Sequence, residues 1–332
     1  MRSKLRSKAE TPNTKHQAPE KHQISNTKPR QGRPLKLGVW SFSGAWCLVF
    51  GVSLFAALLP PASADTKVVF LAGPPSHGPG AHEHRAGCLL LKSCLDKVPG
   101  VSSMVCSNGW PEDAATAFAG VKTVVLYSDG EGHHPFFQGD HLRAIGELMN
   151  KGAGLVCIHY AVEPPKGQGK ELLDWLGGYF EANWSVNPDW QPEFKPLPRH
   201  PITRGVNPLK VHDEWYFHMR FREGMKGVRP ILSAVPPEST MSRSDGAHEG
   251  NPAVRDAVKR GEPQVVAWAS ERPDGGRGFG FTGAHYHHNW GNEDFRKLVL
   301  NAILWTAKAS VPARGVESVI TQEDLKQNPD PK

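Results

Sequence analysis

Gly154-Leu155-Val156-Cys157-Ile158-His159 is a short apolar run that ends on a histidine and opens into Tyr160-Ala161-Val162-Glu163-Pro164-Pro165. A run of this length bounded by turn residues reads as a strand buried on both faces, which is the habit of parallel sheets. The same grammar recurs on either side. Lys67 to Ala72 is an apolar run closed by Gly73-Pro74-Pro75, Val101 to Cys106 is a weaker one, and Lys122 to Tyr127 is closed by Ser128-Asp129-Gly130. Apolar residues at helical spacing predict helices over 85–98, 140–150, 171–179 and 294–307. Residues 264–269 and 278–282 read as a β-pair turning at Pro273-Asp274-Gly275-Gly276. Alternating strands and helices imply an α/β fold, a mostly parallel sheet with helices on both faces. Residues 180–262 break the pattern. Rich in Pro, Trp and charge, they read as an elaborated loop region with a few strands.

In an open parallel sheet, ligands bind beyond the carboxyl ends of the strands, so the residues after each strand are the candidates for chemistry. The first strand exits into Ser76-His77 and His82-Glu83-His84, the third into Asp129, Glu131, His133 and His134, the fourth into His159, Tyr160 and Glu163, and the last into His285-Tyr286-His287-His288. Imidazole titrates near neutral pH and binds metals as a neutral ligand. His159, His77, Glu83 and Asp129 are therefore the expected catalytic set. A divalent transition metal is the candidate cofactor, with His134, His159 and His285 as its ligands. No His-Glu-x-x-His motif and no Gly-x-Ser-x-Gly elbow occurs, and Cys157 lies inside the buried strand. A second block, Val211-His212-Asp213-Glu214-Trp215-Tyr216-Phe217, interleaves acids with aromatics. That composition suits a sugar, whose C–H faces are apolar and whose hydroxyls need acceptors. Tyr160, Asp213, Glu214, Trp215 and His285 are the expected substrate-binding residues.

Charge restricts the partners. Residues 1–36 carry ten Lys/Arg and two acids, and residues 37–64 carry no charge, so the whole-chain charge of +6 leaves about −2 for the remainder. The high pI thus belongs to a basic leader, and nucleic-acid binding is not expected. Basic stretch, apolar run and Ala62-Ser63-Ala64 follow one another in the order of an export signal, with cleavage expected between Ala64 and Asp65 and a periplasmic or secreted product. An uncleaved run would instead anchor the chain, the one expected membrane contact. The expected division is a disordered leader over 1–36, a hydrophobic segment over 37–64, one domain over 65–310 and a flexible tail over 311–332. The cysteines of the domain read as buried free thiols.

Four stretches together resemble the ThuA-like (trehalose-utilisation) family of the class I glutamine amidotransferase-like superfamily. They are Phe70-Leu71-Ala72-Gly73 with Ser76-His77-Gly78 and Glu83-His84, then 152–159, then His212-Asp213-Glu214-Trp215-Tyr216, then 278–285. The resemblance covers about residues 66–307. It implies a flavodoxin-like, amidotransferase-type sheet and a link to the metabolism of trehalose or keto-sugars. An amidotransferase would place a nucleophilic cysteine at the turn after the fourth strand. Here that position is His159, which argues against glutamine hydrolysis. Two readings follow: a carbohydrate-active lyase, hydrolase or isomerase using histidines and carboxylates, or a non-catalytic carbohydrate-binding or partner protein that kept the fold.

Overall fold

The computed structural model describes residues 65–332, so the expected leader and export segment lie outside the described residues. In chain order the strands are β1 (Thr66–Ala72), β2 (Val101–Cys106), β3 (Val121–Tyr127), β4 (Gly154–Ile158), the two-residue strands β5 (Gly178–Tyr179), β6 (Asp189–Trp190), β7 (Glu193–Phe194), β8 (Leu209–Lys210), β9 (Asp213–Glu214) and β10 (Arg220–Phe221), and then β11 (Val228–Ala234), β12 (Gln264–Glu271) and β13 (Arg277–Phe281). The α-helices are α1 (His84–Leu95), α2 (Ala114–Phe118), α3 (His141–Asn150), α4 (Lys170–Leu176), α5 (Pro252–Lys259), α6 (Glu293–Thr306) and α7 (Gln322–Lys326).

Seven strands form the central sheet in the order β11-β12-β13-β4-β3-β1-β2. The block from β13 to β2 is parallel, while β11, β12 and β13 pair antiparallel. Side chains alternate across the sheet as the pleat requires. Val156 and Ile158 of β4 join α1 and α6 in one apolar cluster, and Leu155 and Cys157 join α3 and α4 in the other. Helices therefore cover both faces, as the alternation of elements implies. Among the few strands expected within 180–262, the apolar run that starts at Val228 becomes edge strand β11.

Register positions the chemistry. Ala72 of β1 is the neighbour of Tyr127 of β3, Tyr127 of Ile158 of β4, and Ile158 of Phe281 of β13. The last residues of four parallel strands thus lie in one row across the sheet. The loops that follow them must rise from the same edge, side by side.

The tail departs from the expected flexible appendage. Val316 is buried and its N–H donates to Asn301 Oδ1 at 2.8 Å. Arg296 of α6 donates to the Ser318 carbonyl. The Asp330 N–H donates to Glu83, and Lys332 Nζ donates to the Ala81 carbonyl at 3.1 Å. Single apolar residues and backbone carbonyls, which carry no periodic signal, hold this segment against the body.

Candidate active site

Three histidines and one glutamate meet above the row of strand ends. His82 comes from the β1–α1 loop, His159 directly follows β4, His285 follows β13, and Glu214 lies on β9 of the insert. His82 Nε2 lies 3.1 Å from both His159 Nε2 and His285 Nδ1, and the last two are 3.2 Å apart. Glu214 Oε2 is 3.1 Å from His285 Nδ1 and 3.4 Å from His159 Nε2. His82 and Glu214 stand farther apart, within 4.8 Å.

The outward nitrogens show which ring atoms face the centre. His159 Nδ1 is 2.8 Å from the Thr282 carbonyl, which can only accept, so Nδ1 carries the proton and Nε2 presents a lone pair. His82 Nδ1 is 2.7 Å from Asp129 Oδ1, and the same logic leaves its Nε2 unprotonated. Burial holds the His82 pKa down at about 2, against the hydrogen bond it donates to Asp129, which raises it. Burial raises the Asp129 pKa, but its bonds to His82 and Ser76 and the nearby His84 outweigh that and keep it below the ordinary carboxylate range. Glu214 behaves likewise: burial opposes its charge, and His159 and His285 overcome it. His285 is moved the other way, its burial outweighed by Glu214, Asp213 and Asp189.

Nitrogen lone pairs 3.1 Å apart repel unless something positive lies between them. A tetrahedral ion with metal–nitrogen bonds of about 2.0–2.1 Å places its ligand atoms about 3.3–3.4 Å apart. Five of the six separations in this set are 3.1–3.4 Å. The donor set and the carboxylate or carbonyl behind two of its imidazoles would suit a transition-metal ion. Asp129→Asn removes the charge that orients His82, and metal affinity is expected to fall roughly 10–100-fold with little loss of folding stability. Competition against a chromogenic chelator measures this, and unchanged affinity would separate Asp129 from the centre.

Backbone strain accompanies the geometry. His82 (φ 48°), Glu131 (φ 48°), His159 (φ 57°) and Ala284 (φ 82°) are all left-handed without being glycine. Such residues cost on the order of 1–3 kcal/mol each and persist where packing enforces them, often at functional sites. Gly130 has a specific role, because a Cβ there would lie 2.4 Å from the Tyr160 carbonyl oxygen. Only glycine lets the β3 loop close onto the β4 turn.

Several expected site residues join the centre. His77 lies against His82 with ring centroids 3.6 Å apart and planes tilted by 34°, and its side chain is 43% exposed. The Tyr160 ring lies 6.0 Å from that of His82, and its hydroxyl donates to Glu131 at 2.8 Å. Asp213, expected to bind substrate, is instead a fully buried anchor behind the centre, accepting from the N–H groups of Ala284 (2.6 Å) and His285 (3.0 Å).

Three further expectations are corrected. His134 is not a ligand: its ring is fully buried, with Nε2 3.1 Å from the Ala161 carbonyl and Nδ1 accepting from the Phe136 N–H. The short turn at Pro135–Phe137 swings it inward, where burial lowers its pKa to about 4. Glu83 faces away from the centre and accepts from the N–H groups of Gly80 and Asp330, so its work is to hold the loop and the tail. Trp215 is no sugar platform. It is fully buried against Phe194, Phe281 and Phe295, with Nε1 donating to the Val211 carbonyl.

The metal set omitted His82 and Glu214, although both lay in stretches already marked. Tyr216, whose hydroxyl is 3.1 Å from His159 Nε2, was also within reach of the sequence, since it sits two residues from Glu214 in the same block. His248, 2.9 Å from Glu163, lies in the insert and had no such signal. The four described cysteines are free and buried, and burial pushes the Cys157 thiol far above its ordinary range. Cys157 lies inside β4 with no exposure, and the turn after β4, where the resemblance would place an amidotransferase nucleophile, holds His159. Among the described residues, no helix is long and apolar enough to cross a membrane.

Comparison with known proteins agrees with this architecture. No curated protein matches the chain. Of solved structures, a protein described as ThuA-like from Bacteroides uniformis aligns with a TM-score of 0.52 and 15% identity, over 76% of this chain and 95% of that one. Another described as ThuA-like, from Parabacteroides merdae, aligns with a TM-score of 0.49 and 16% identity, over 80% and 100% of the two chains. The model of the ThuA family, described as trehalose utilisation, matches residues 110–306, a span that holds His159, Glu214 and His285. With more than half its length matched, and with an α/β sheet of the class I glutamine amidotransferase-like type, this chain belongs to the ThuA family.

Proposed function

We propose that this protein is an exported, metal-dependent enzyme that hydrolyses the glycosidic C–O bond of a sugar or keto-sugar. The observation that carries the reading is the convergence of His82, His159, His285 and Glu214 on one point. When bound there, a divalent cation would act as a Lewis acid toward a carbonyl or hydroxyl oxygen of the substrate. The protein's own residues do the rest. Asp129 and the Thr282 carbonyl fix two imidazoles in the metal-binding tautomer, and His285 and Glu214, with side chains 15% and 16% exposed, leave one side of the centre open.

A carbohydrate as the small-molecule partner is supported by the family's description and by the rim. There Tyr286 lies nearly parallel to His212, and its hydroxyl donates to the exposed Asp189 at 3.0 Å. An aromatic face beside hydroxyl-binding carboxylates fits a pyranose. Export is supported by the basic, apolar and Ala-Ser-Ala order of the first 64 residues.

The test is hydrolysis of glucosides and 3-keto-glucosides by the purified protein, with loss of turnover on chelation and recovery on adding Zn²⁺, Mn²⁺ or Fe²⁺. Sugar binding without product under every metal would return the non-catalytic alternative.

The metal should also compete with protons. Against its burial, Glu214 and Asp213 raise the His285 pKa, so acid displaces the metal there, whereas burial keeps His82 neutral well below the ordinary imidazole range. Affinity is therefore expected to weaken as pH falls through and below the ordinary imidazole range, about tenfold per unit for the one proton on His285. Titrations at pH 8 and pH 6 check the sign, and equal affinities would remove His285 from the ligand set.

A further inference from the structure

Beside the metal-binding centre lies a second group of polar residues that it does not use. Glu163, 1% exposed, accepts a hydrogen bond from His248 Nε2 at 2.9 Å. Glu131 stands 3.8 Å from the same nitrogen and takes the Tyr160 hydroxyl at 2.8 Å. Resting on the hydrolytic reading above, we propose that His248, held by Glu163, is the acid that protonates the leaving oxygen of the substrate.

Three observations place His248 for this task. Its Nε2–H is committed to Glu163, while no described residue bonds Nδ1 and the side chain is 23% exposed, so Nδ1 is the open nitrogen and, in the charged imidazolium, the free donor. A buried carboxylate on one nitrogen of an imidazole with the other nitrogen open is an arrangement used for proton transfer. The loop carrying it is pinned rather than loose: the Asn187 N–H donates to the His248 carbonyl at 3.0 Å, and Arg243 Nη2 donates to the same carbonyl at 3.3 Å. Asn187 also ties the two groups together, since its Nδ2 donates to Glu214 Oε1 at 3.0 Å. The His248 loop and a metal-binding carboxylate thus share one residue. The Phe180 ring, stacked on His248 at 5.4 Å, also meets Tyr216, whose hydroxyl reaches His159.

The charge environment favours the protonated ring. The bond to Glu163 raises the His248 pKa, with Glu131 and Glu249 adding to it. Burial raises Glu163 to about 7 in spite of His248, so the pair holds a proton across neutral pH. In the step itself the glycosidic C–O bond breaks with its electron pair on the leaving oxygen, which takes the Nδ1 proton. Water supplies hydroxide to the carbon and returns its other proton to Nδ1. One glycoside and one water become one hemiacetal sugar and one alcohol, and His248 ends as it began.

The experiment compares methyl and 4-nitrophenyl 3-keto-glucosides with the metal-loaded wild-type protein, His248→Gln and Glu163→Gln. A poor leaving group needs the acid and a good one does not. His248→Gln is therefore expected to lower kcat/KM at least about 100-fold on the methyl glycoside and less than about tenfold on the 4-nitrophenyl one. Glu163→Gln should show the same pattern more weakly, with metal stoichiometry unchanged in both variants. Equal losses on the two substrates, or no loss, would overturn the assignment while leaving the hydrolytic reading in place. A wild-type protein that turns over neither substrate would overturn that reading and the acid with it.

Discussion

Replacing His159 with alanine is expected to abolish metal retention while leaving the domain folded. Four groups lie within 3.4 Å of His159 Nε2: His82, His285, Glu214 and the Tyr216 hydroxyl. Sites of four protein ligands gain about 10–16 kcal/mol from the ion, or roughly 2.5–4 kcal/mol for each ligand. Losing one ligand should therefore cost on the order of 10²–10³ in affinity. The left-handed backbone at residue 159 (φ 57°) complicates the stability outcome, because alanine tolerates it no better than histidine. His159→Asn supplies a residue at ease in that conformation with no imidazole. Both variants should lose the ion, and the asparagine form should keep the wild-type melting temperature more closely. Retention of metal by both at wild-type affinity would show that His159 is a core histidine and not a ligand.

The second large effect is expected at Asp213, through stability rather than coordination. Its carboxylate is fully buried and accepts from the N–H groups of Ala284, His285, Tyr286 and Glu214 at 2.6 to 3.4 Å. It is the acceptor that lets the chain turn after β13 and present the His285 ring. Asp213→Ala leaves these donors buried without a partner, at about 1–3 kcal/mol for each that finds no water. The total of several kcal/mol is a large share of the 5–15 kcal/mol that holds a typical domain together. A melting temperature lower by on the order of 10 °C or more is expected, with metal affinity falling as well because His285 loses its support. A folded variant of unchanged melting temperature would mean that the turn after β13 is held by other contacts.

The sheet could be read from sequence because its signals are local: short apolar runs, each followed by a turn, are buried parallel strands almost wherever they occur. The site was partly legible for the same reason. His77, Asp129, His159 and His285 follow strands whose last residues share one row, so they had to emerge together. Facing direction was not legible. His134 also sits at a strand exit, yet one short turn over Pro135–Phe137 sends its ring into the core. Trp215 and Glu214 are neighbours on the chain, and the alternation of an extended segment puts the first in the core and the second at the centre. His248 could not be found by pattern at all. It reaches Glu163 across 85 residues through a loop without periodicity, and only the folded insert brings the two together.

Elemental analysis of the purified protein, before and after exhaustive chelation and again after reconstitution, tests the central claim most directly. One transition-metal ion per chain, removed by the chelator, restored by Zn²⁺, Mn²⁺ or Fe²⁺, and absent from His285→Ala, is the expected result. A wild-type protein that neither carries nor takes up such an ion at micromolar concentration would contradict the account, and the three imidazoles would then have to be explained without one.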